Sequence, residues 1–138
     1  MKVLVDTNVL FDVLAKREPF VLDSARIWTL INRRVIEGCL SAISVNNLYY
    51  IIRKLKGHKS AVGFVDQILE DFEIVALTKS ILKQARTIED KDFEDLIQYF
   101  SAIHEGCEIL VTRNKKHFLS GGLNIFTPQE LLKEIDRM

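Results

Sequence analysis

Short apolar segments alternate with longer amphipathic segments along the whole chain, and this alternation restricts the possible folds more than any other feature. The apolar segments have the length of strands, while the longer segments repeat apolar residues every three or four positions, as helices do. The predicted strands are Lys2–Val5, Cys39–Ala42, Glu73–Ala76, Glu108–Thr112 and Asn124–Phe126. Alternating strands and helices favour right-handed crossovers and a parallel sheet covered on both faces. We therefore predict an α/β fold, a three-layer α/β/α sandwich with a mostly parallel central sheet, in a single domain over residues 1–138.

The longer segments carry start and stop signals that are typical of helices. Thr127-Pro128-Gln129-Glu130 is a capping box with proline at the first helical position. Gly38 is predicted to end a helix over Phe20–Glu37. Residues 54–60 are polar and are predicted to link the preceding helix to a helix over Ala61–Phe72. Further helix N-caps are predicted at Ser44, Thr78 and Asp92.

Composition and charge are typical of a globular protein and argue against a membrane-spanning or a strongly basic one. Of the 138 residues, 48% are hydrophobic and 28% are charged, which is typical of a globular chain. The 19 basic and 19 acidic residues balance, so only a local basic patch would attract nucleic acid. No apolar run has the length of a membrane span, and Asp6 soon interrupts the first one, so we expect a cytoplasmic protein without a signal peptide. Cys39 and Cys107 are predicted to be buried rather than to form a disulfide or metal site.

Acidic and amide residues stand where the predicted strands end. Asp6 follows the first strand, and Asn114 comes just after the fourth. Asp92 and Asp95 lie three residues apart in the first turn of a predicted helix, so they share one face of it. Ligands of open parallel sheets bind at the carboxyl ends of the strands. Asn47, which lies shortly after the second strand, is expected to reach the same edge.

Carboxylates that meet at one edge repel one another unless a proton or a cation intervenes. Hard oxygen ligands suit Mg²⁺ or Mn²⁺, and no histidine belongs to this set, so zinc is not expected. Such an ion activates water and stabilises charge on a phosphoryl oxygen. Each residue also has a simpler explanation, because Asp6, Asp92 and Asp95 suit helix N-termini and Asn114 suits a turn. The functional hypothesis therefore depends on the convergence of these residues.

Basic residues flank the predicted site. Arg113, Lys115, Lys116 and His117 follow the fourth strand directly and are predicted to attract phosphate. A second basic run, within residues 53–59, is more typical of a solvated surface.

Four segments give the chain a resemblance to PIN-domain proteins, in particular to the VapC-type toxins, over nearly its whole length. They are Val3-Leu4-Val5-Asp6-Thr7-Asn8-Val9-Leu10, Leu40-Ser41-Ala42-Ile43-Ser44, Asp92-Phe93-Glu94-Asp95, and Ile109-Leu110-Val111-Thr112-Arg113-Asn114 with Phe118. Thr127-Pro128-Gln129-Glu130 is also similar to the start of the family's last helix. The resemblance implies cleavage of RNA phosphodiester bonds with Mg²⁺ or Mn²⁺ as cofactor. It also implies RNA, a small antitoxin protein and a second copy of the chain in a homodimer as partners.

The resemblance and the positions of the residues together assign roles to individual residues of this chain. Asp6 and Asp95 are expected to hold the metal, and Asp92 and Asn114 to assist them as catalytic residues. The expected substrate-binding residues are Asn47, Thr112, Arg113 and Lys115, of which Arg113 or Lys115 would position phosphate. The chain departs from the family pattern at Asn47, where Glu is usual, at Asn114, where Asp is usual, and at His117, where Asp commonly precedes Phe118. An amide carries no charge, so we expect the site to bind one cation rather than two.

Two other functions are compatible with part of this pattern. A PIN-fold module that binds RNA or a protein partner without cutting would also tolerate Asn47 and Asn114, and titration with Mn²⁺ separates it from a nuclease. A phosphorylatable receiver domain also carries an Asp at a strand end. It requires an extra pair of acids at the first strand, where Asp6 stands alone, so we exclude it.

Overall fold

The computed structural model describes residues 1–119 and 121–138, which form a five-stranded sheet with helices on both faces. The strands are β1 (Lys2–Val5), β2 (Glu37–Ser41), β3 (Glu73–Val75), β4 (Ile109–Val111) and β5 (Asn124–Phe126). Their order is β3-β2-β1-β4-β5, and every neighbouring pair is parallel. The predicted α/β sandwich with a parallel sheet is confirmed, and the predicted strands are present with small shifts in their bounds.

The helices form the two outer layers. They are α1 (Thr7–Leu14), α2 (Val21–Asn32), α3 (Ala42–Lys56), α4 (His58–Asp71), α5 (Lys79–Arg86), α6 (Phe93–Glu105) and α7 (Pro128–Asp136), with a 3₁₀ helix at Lys115–His117. Val3 and Val5 pack against α1 to α4 and α7, whereas Leu4 packs with Tyr99 and Ala102 of α6. Because both faces of the sheet are buried, its strands are continuous apolar runs. Within the described residues, no helix is long and apolar enough to cross a membrane.

The order of the strands reverses between β1 and β4. From β1 the chain adds β2 and β3 on one side, then returns through α5 and α6 to place β4 on the other side of β1. Such a reversal opens a crevice at the carboxyl ends of the two strands, where ligands of open α/β sheets bind. Asp6 directly follows β1 and Thr112 directly follows β4, so both residues stand at this β1–β4 crevice.

Most predicted helix caps are confirmed. At Thr78, Asp92 and Thr127 the side chain accepts a hydrogen bond from the backbone N–H three residues later. The predicted cap at Ser44 is wrong, because β2 ends at Ser41 and α3 already begins with the next residue. Ser44 is therefore buried in the first turn of α3, where its hydroxyl is available for a tertiary contact.

Gly38 lies inside β2 and does not end a helix. Helix α2 stops at Asn32, and residues 33–36 form the turn into β2, so the helix predicted over Phe20–Glu37 is too long. A Cβ atom at position 38 would lie 2.6 Å from Cγ2 of Ile31. The glycine thus allows α2 to pack closely against β2. A glycine after a helical pattern resembles a C-cap, which explains the error.

Residues 54–60 do not form the predicted polar link. Helix α3 continues to Lys56 and α4 begins at His58, so Gly57 alone separates the two helices. Its φ of 89° is one that glycine adopts at little steric cost. The polar residues of this stretch lie on the exposed sides of two helices.

Asp71, at the end of α4, joins that helix to α2. Its carboxylate accepts hydrogen bonds from Nε1 of Trp28 at 2.8 Å, Nδ2 of Asn32 at 2.9 Å and Nε2 of Gln67 at 2.9 Å. Burial alone would raise the pKa of Asp71, but the hydrogen bonds from Gln67, Asn32 and Trp28 hold it below its ordinary range. The ionised form is therefore the one that the fold stabilises.

The close approach at Gly38 predicts the effect of two alanine substitutions. In Gly38→Ala the new Cβ would overlap Ile31, and we expect the free energy of unfolding to fall by about 1–3 kcal/mol. Gly63→Ala is the matched control, because no atom of the described residues lies within 4 Å of its Cβ position and it lies inside α4. This control should gain up to about 1 kcal/mol through helix propensity. Urea denaturation of both variants measures the difference, and equal stabilities would contradict the packing argument.

Candidate active site

Asp6 lies at the β1–β4 crevice with both carboxylate oxygens engaged. Nε2 of Gln98 donates a hydrogen bond to Oδ1 at 3.0 Å, and Oγ1 of Thr112 donates one to Oδ2 at 2.8 Å. Asp6 is the N-cap residue of α1, but its side chain makes no capping hydrogen bond. The residue is only 4% exposed. Helix capping therefore does not explain why the chain carries an aspartate at position 6.

Gln98 is a buried amide whose orientation is set by its neighbours. Its Oε1 accepts a hydrogen bond from the backbone N–H of Thr7 at 3.0 Å. The hydroxyls of Thr7 and Ser44 lie 2.6 Å apart and close the same network. Because a backbone N–H can only donate, Oε1 must face Thr7 and Nε2 must face Asp6. The amide thus fixes the orientation of the Asp6 carboxylate.

Asp95 lies in the first turn of α6, close to Asp6. Gln98, which contacts Asp6, follows Asp95 by three residues, so both lie on one face of α6. His117 follows β4, and its Nδ1 lies 3.6 Å from Oδ2 of Asp95. The fold therefore brings Asp6 and Asp95 to the same edge of the sheet from distant parts of the sequence.

The charge of Asp95 is unfavourable in this position. Burial, followed by the charges of Asp6, Asp92 and Glu94, raises the pKa of Asp95 to about 7. Asp92 is exposed and caps α6 through the backbone N–H of Asp95 at 3.1 Å, so capping accounts for its position. Several carboxylates are thus held close together at the start of this helix.

Asn47 and Glu94 form a second polar contact between α3 and α6. Nδ2 of Asn47 donates a hydrogen bond to Oε1 of Glu94 at 2.7 Å. Ser44, one turn earlier on α3, lies 3.5 Å from Oε1 of Gln98, one turn later on α6. The two contacts lie one helical turn apart between the first turns of α3 and α6. The Asn47–Glu94 contact is nearer the N-terminus of α6.

Arg113 forms a buried ion pair. Its Nε lies 2.6 Å from Oδ2 of Asp12, whose side chain is completely buried in α1. The guanidinium also lies over the ring of Phe20, 4.3 Å from its centroid. Burial raises the pKa of Asp12, although the charges of Arg113 and Arg17 oppose this shift. Arg113 thus joins the end of β4 to α1 and to the start of α2, whereas its position in the sequence indicated a contact with phosphate.

The other residues after β4 differ in their exposure. Thr112 is completely buried, and its hydroxyl donates to Asp6 and accepts a hydrogen bond from the backbone N–H of Asn114 at 3.1 Å. Asn114 and Lys116 are exposed. Lys115 is about half exposed and pairs with Glu130 at 3.2 Å. The exposed basic surface beside the site is therefore formed by Lys115–His117.

The oxygen donors suit a hard cation with few protein ligands. Among residues 1–119 and 121–138, no three His, Cys, Asp or Glu side chains are grouped closely enough to hold a metal ion. Asp6 and Asp95 instead offer a pair of carboxylates. Mg²⁺ commonly binds through one or two carboxylates and keeps several waters. A cation would also relieve the repulsion that raises the pKa of Asp95, so these residues fit such an ion.

Three residues that organise this region were not assigned a role from the sequence. They are Gln98, Glu94 and Asp12. Gln98 and Asp12 each interrupt an otherwise apolar helical stretch, which is a usable signal of a buried polar contact. Glu94 had no such signal, because an acid in the first turn of a helix is common.

The chain is an α/β domain with a parallel sheet and a reversed strand order. Its acidic residues form a polar site at the carboxyl ends of the strands. The family profile described as PIN domain matches residues 2–116. The chain belongs to the PIN domain family, and the resemblance noted in its sequence is confirmed.

Similar proteins include one relative of closely matching length. The chain is 26% identical over 134 residues to Ribonuclease VapC1 of Aquifex aeolicus (strain VF5), covering 94% of this chain and 92% of that protein. Among solved structures, VapC20 of Mycobacterium tuberculosis, a sarcin-ricin loop cleaving toxin, matches with a TM-score of 0.64 and 15% identity, over 78% of this chain and 86% of that one. A toxin–antitoxin complex from Klebsiella pneumoniae matches with a TM-score of 0.68 and 21% identity, over 91% and 97% of the two chains. At these identities the structural matches establish the fold.

The Arg113–Asp12 pair predicts that two neighbouring basic residues differ in their effect on stability. Arg113→Ala removes the nearer ion-pair partner of the buried Asp12 carboxylate and leaves only Arg17 at 3.7 Å, and the free energy of unfolding should fall by about 2–4 kcal/mol, somewhat less than for a carboxylate left with no partner. Lys115→Ala removes only a half-exposed pair with Glu130 and should cost about 0–1 kcal/mol. Denaturant unfolding of both variants measures this contrast. Equal losses would show that Arg113 does not hold the end of β4.

The raised pKa of Asp95 predicts a substitution that stabilises the protein. Aspartate titrates near 3.9 in an unfolded chain and at about 7 here, so the stability contributed by this group is complete below about pH 4 and is lost as the pH rises towards about 7. In chelator at pH 8, Asp95→Asn should raise the free energy of unfolding by about 1–3 kcal/mol. At pH 4 the wild type and the variant should differ little. A variant that is less stable than wild type at pH 8 would contradict the electrostatic argument.

Proposed function

We propose that the chain is a divalent-cation-dependent ribonuclease that hydrolyses phosphodiester bonds in RNA. The observation that carries this proposal is the approach of Asp6 and Asp95 at the β1–β4 crevice, where donors hold both oxygens of Asp6. The similarity to a protein named Ribonuclease VapC1, over 94% of this chain, supports the reaction and the substrate.

The residues of the crevice divide into cation ligands and residues that position them. Asp6 and Asp95 bind Mg²⁺ or Mn²⁺, and Asp92 and Asn114 assist at the rim. The bound cation supplies a Lewis acid that activates water and polarises a phosphoryl oxygen. Gln98 and Thr112 keep the Asp6 carboxylate turned towards the crevice. We assign Thr112 this positioning role in place of substrate contact, because its side chain is completely buried.

The basic surface after β4 positions the RNA backbone. Lys115 is half exposed, and Lys116 and His117 are exposed beside Asp95. Arg113 acts mainly by holding this segment in place through Asp12. Phosphate contacts of this kind release counterions, so RNA affinity should fall as the salt concentration rises.

We further propose that the protein is the toxin of a toxin–antitoxin pair, with a small antitoxin protein as partner, and that it forms a homodimer. The structural similarity to a chain of a toxin–antitoxin complex supports the antitoxin. The dimer rests on the family resemblance, and sedimentation of the purified chain tests it.

A PIN-fold module that binds RNA or a partner without cutting is the alternative. The uncharged side chains of Asn47 and Asn114 favour it, because fewer acids hold a cation more weakly. Titration of the chain with Mn²⁺ separates the two functions: a nuclease binds the ion at the Asp6–Asp95 pair, whereas a non-cutting module binds it weakly or not at all.

The proposed cation site predicts the effect of Asp6→Asn. The substitution removes one of the two carboxylate ligands, and we expect it to abolish both Mn²⁺ binding and RNA cleavage. Calorimetric titration with Mn²⁺ and cleavage of end-labelled RNA, with and without chelator, measure the two effects.

Asp66→Asn is the control for this experiment, because Asp66 is exposed on α4, away from the crevice. The control should bind Mn²⁺ and cut RNA as the wild type does. Unchanged cleavage by a clean preparation of Asp6→Asn would rule out the proposed mechanism.

A further inference from the structure

We propose that Glu94 is a further residue of the cation site, where it binds a water molecule carried by the cation, and that Asn47 holds Glu94 in this position. The assignment rests on the proposed nuclease function. It gives a role to an acid in the first turn of α6 and to the amide on α3 that faces it.

The contact between the two side chains leaves one carboxylate oxygen of Glu94 available. Oε1 accepts the hydrogen bond from Nδ2 of Asn47 at 2.7 Å. Oε2 has no hydrogen-bond partner among residues 1–119 and 121–138. Glu94 is only partly buried, so its free oxygen can reach water. The amide of Asn47 therefore anchors the carboxylate without neutralising it.

The position of the contact along the helices directs Glu94 towards the crevice. The neighbouring contact, one helical turn away, joins Ser44 to Gln98, and Gln98 donates a hydrogen bond directly to Asp6. Glu94 precedes Gln98 by four residues and so lies one turn nearer the N-terminus of α6 on the same face. Asp95 directly follows Glu94 in the same turn. A carboxylate on this face lies beside the two proposed cation ligands, on the side formed by α3.

The Glu94 carboxylate lies beside the proposed ligands but is not grouped with them as a direct ligand. Glu94 directly precedes Asp95 in the first turn of α6, and its carboxylate is held by Asn47. No three acidic or metal-binding side chains of the described residues are close enough to share one ion. Mg²⁺ and Mn²⁺ sites with few carboxylates retain several waters, and residues that hold such waters contribute to affinity. Contact through a bound water therefore accounts for a carboxylate that lies beside the proposed ligands without being grouped with them.

The pairing of a neutral amide with a carboxylate also explains why position 47 carries no acid. A carboxylate at position 47 would stand opposite Glu94 at hydrogen-bond distance, and the two charges would repel each other. Exchange of the two functional groups should preserve the pair, with the charge now supplied by α3. The exchanged pair can therefore be tested for recovery of Mn²⁺ binding, which a loss-of-function variant alone does not measure.

The first experiment replaces Glu94 by Gln in the full-length chain. Glutamine keeps an oxygen that accepts the hydrogen bond from Asn47, so Glu94→Gln removes the charge while the contact between the helices remains. We expect the dissociation constant for Mn²⁺, measured from the electron paramagnetic resonance signal of the free ion, to rise by about 10–100-fold. Glu89→Gln is the matched control, because Glu89 is 79% exposed and pairs with Arg86 on the surface. Its affinity for Mn²⁺ should equal that of the wild type.

The second experiment exchanges the pair. The double variant Asn47→Asp with Glu94→Gln should recover most of the Mn²⁺ affinity that Glu94→Gln loses, and denaturant unfolding shows that both proteins are folded. A Glu94→Gln variant that binds Mn²⁺ like the wild type, while Asp6→Asn does not bind it, overturns the role of Glu94 and leaves the proposed nuclease function intact. Wild-type binding by Asp6→Asn overturns the nuclease function itself. A double variant that binds no better than Glu94→Gln alone overturns the pairing with Asn47.

Discussion

The buried carboxylate of Asp6 links three parts of the chain. Its oxygens accept hydrogen bonds from Gln98 on α6 and from Thr112 after β4, while its backbone N–H donates to the carbonyl of Val111 at 3.0 Å. Water cannot replace these partners, because Asp6 is almost completely buried. A shift of α6 or β4 would leave buried polar atoms without hydrogen bonds, which is costly. The position of the acid is therefore set by the packing of α6 on the sheet.

The sheet topology and the local charge distribution together give this crevice its chemistry. The strand order reverses between β1 and β4, and these two neighbouring strands carry Asp6 and Thr112 to the crevice at their carboxyl ends. The chain as a whole has no net charge, yet acids meet at the start of α6 and bases follow β4. Burial and the neighbouring carboxylates make the charged form of Asp95 unfavourable. Acids with a raised pKa in a crevice are common at functional sites, which agrees with the proposed role of Asp95.

The sequence predicted the strands and the edge at which the acids meet, because periodicity and strand ends depend on local information. All five strands and the caps at Thr78, Asp92 and Thr127 follow from such patterns. The errors arise where a tertiary contact decides. Gly38 makes room for Ile31 and ends no helix. Asp12, Glu94 and Gln98 contact Arg113, Asn47 and Asp6, which lie far away in the sequence. No local pattern could therefore identify these partners.

The separation in sequence between Asp6 and its two partners has a consequence during synthesis of the protein. Gln98 stands 92 positions and Thr112 stands 106 positions after Asp6. The N-terminal end leaves the ribosome first, so the first strand emerges long before either donor, and a domain generally folds as a unit. The crevice cannot assemble on a nascent or truncated chain that lacks α6 and β4. The site at the β1–β4 crevice therefore becomes complete only after most of the chain has been translated.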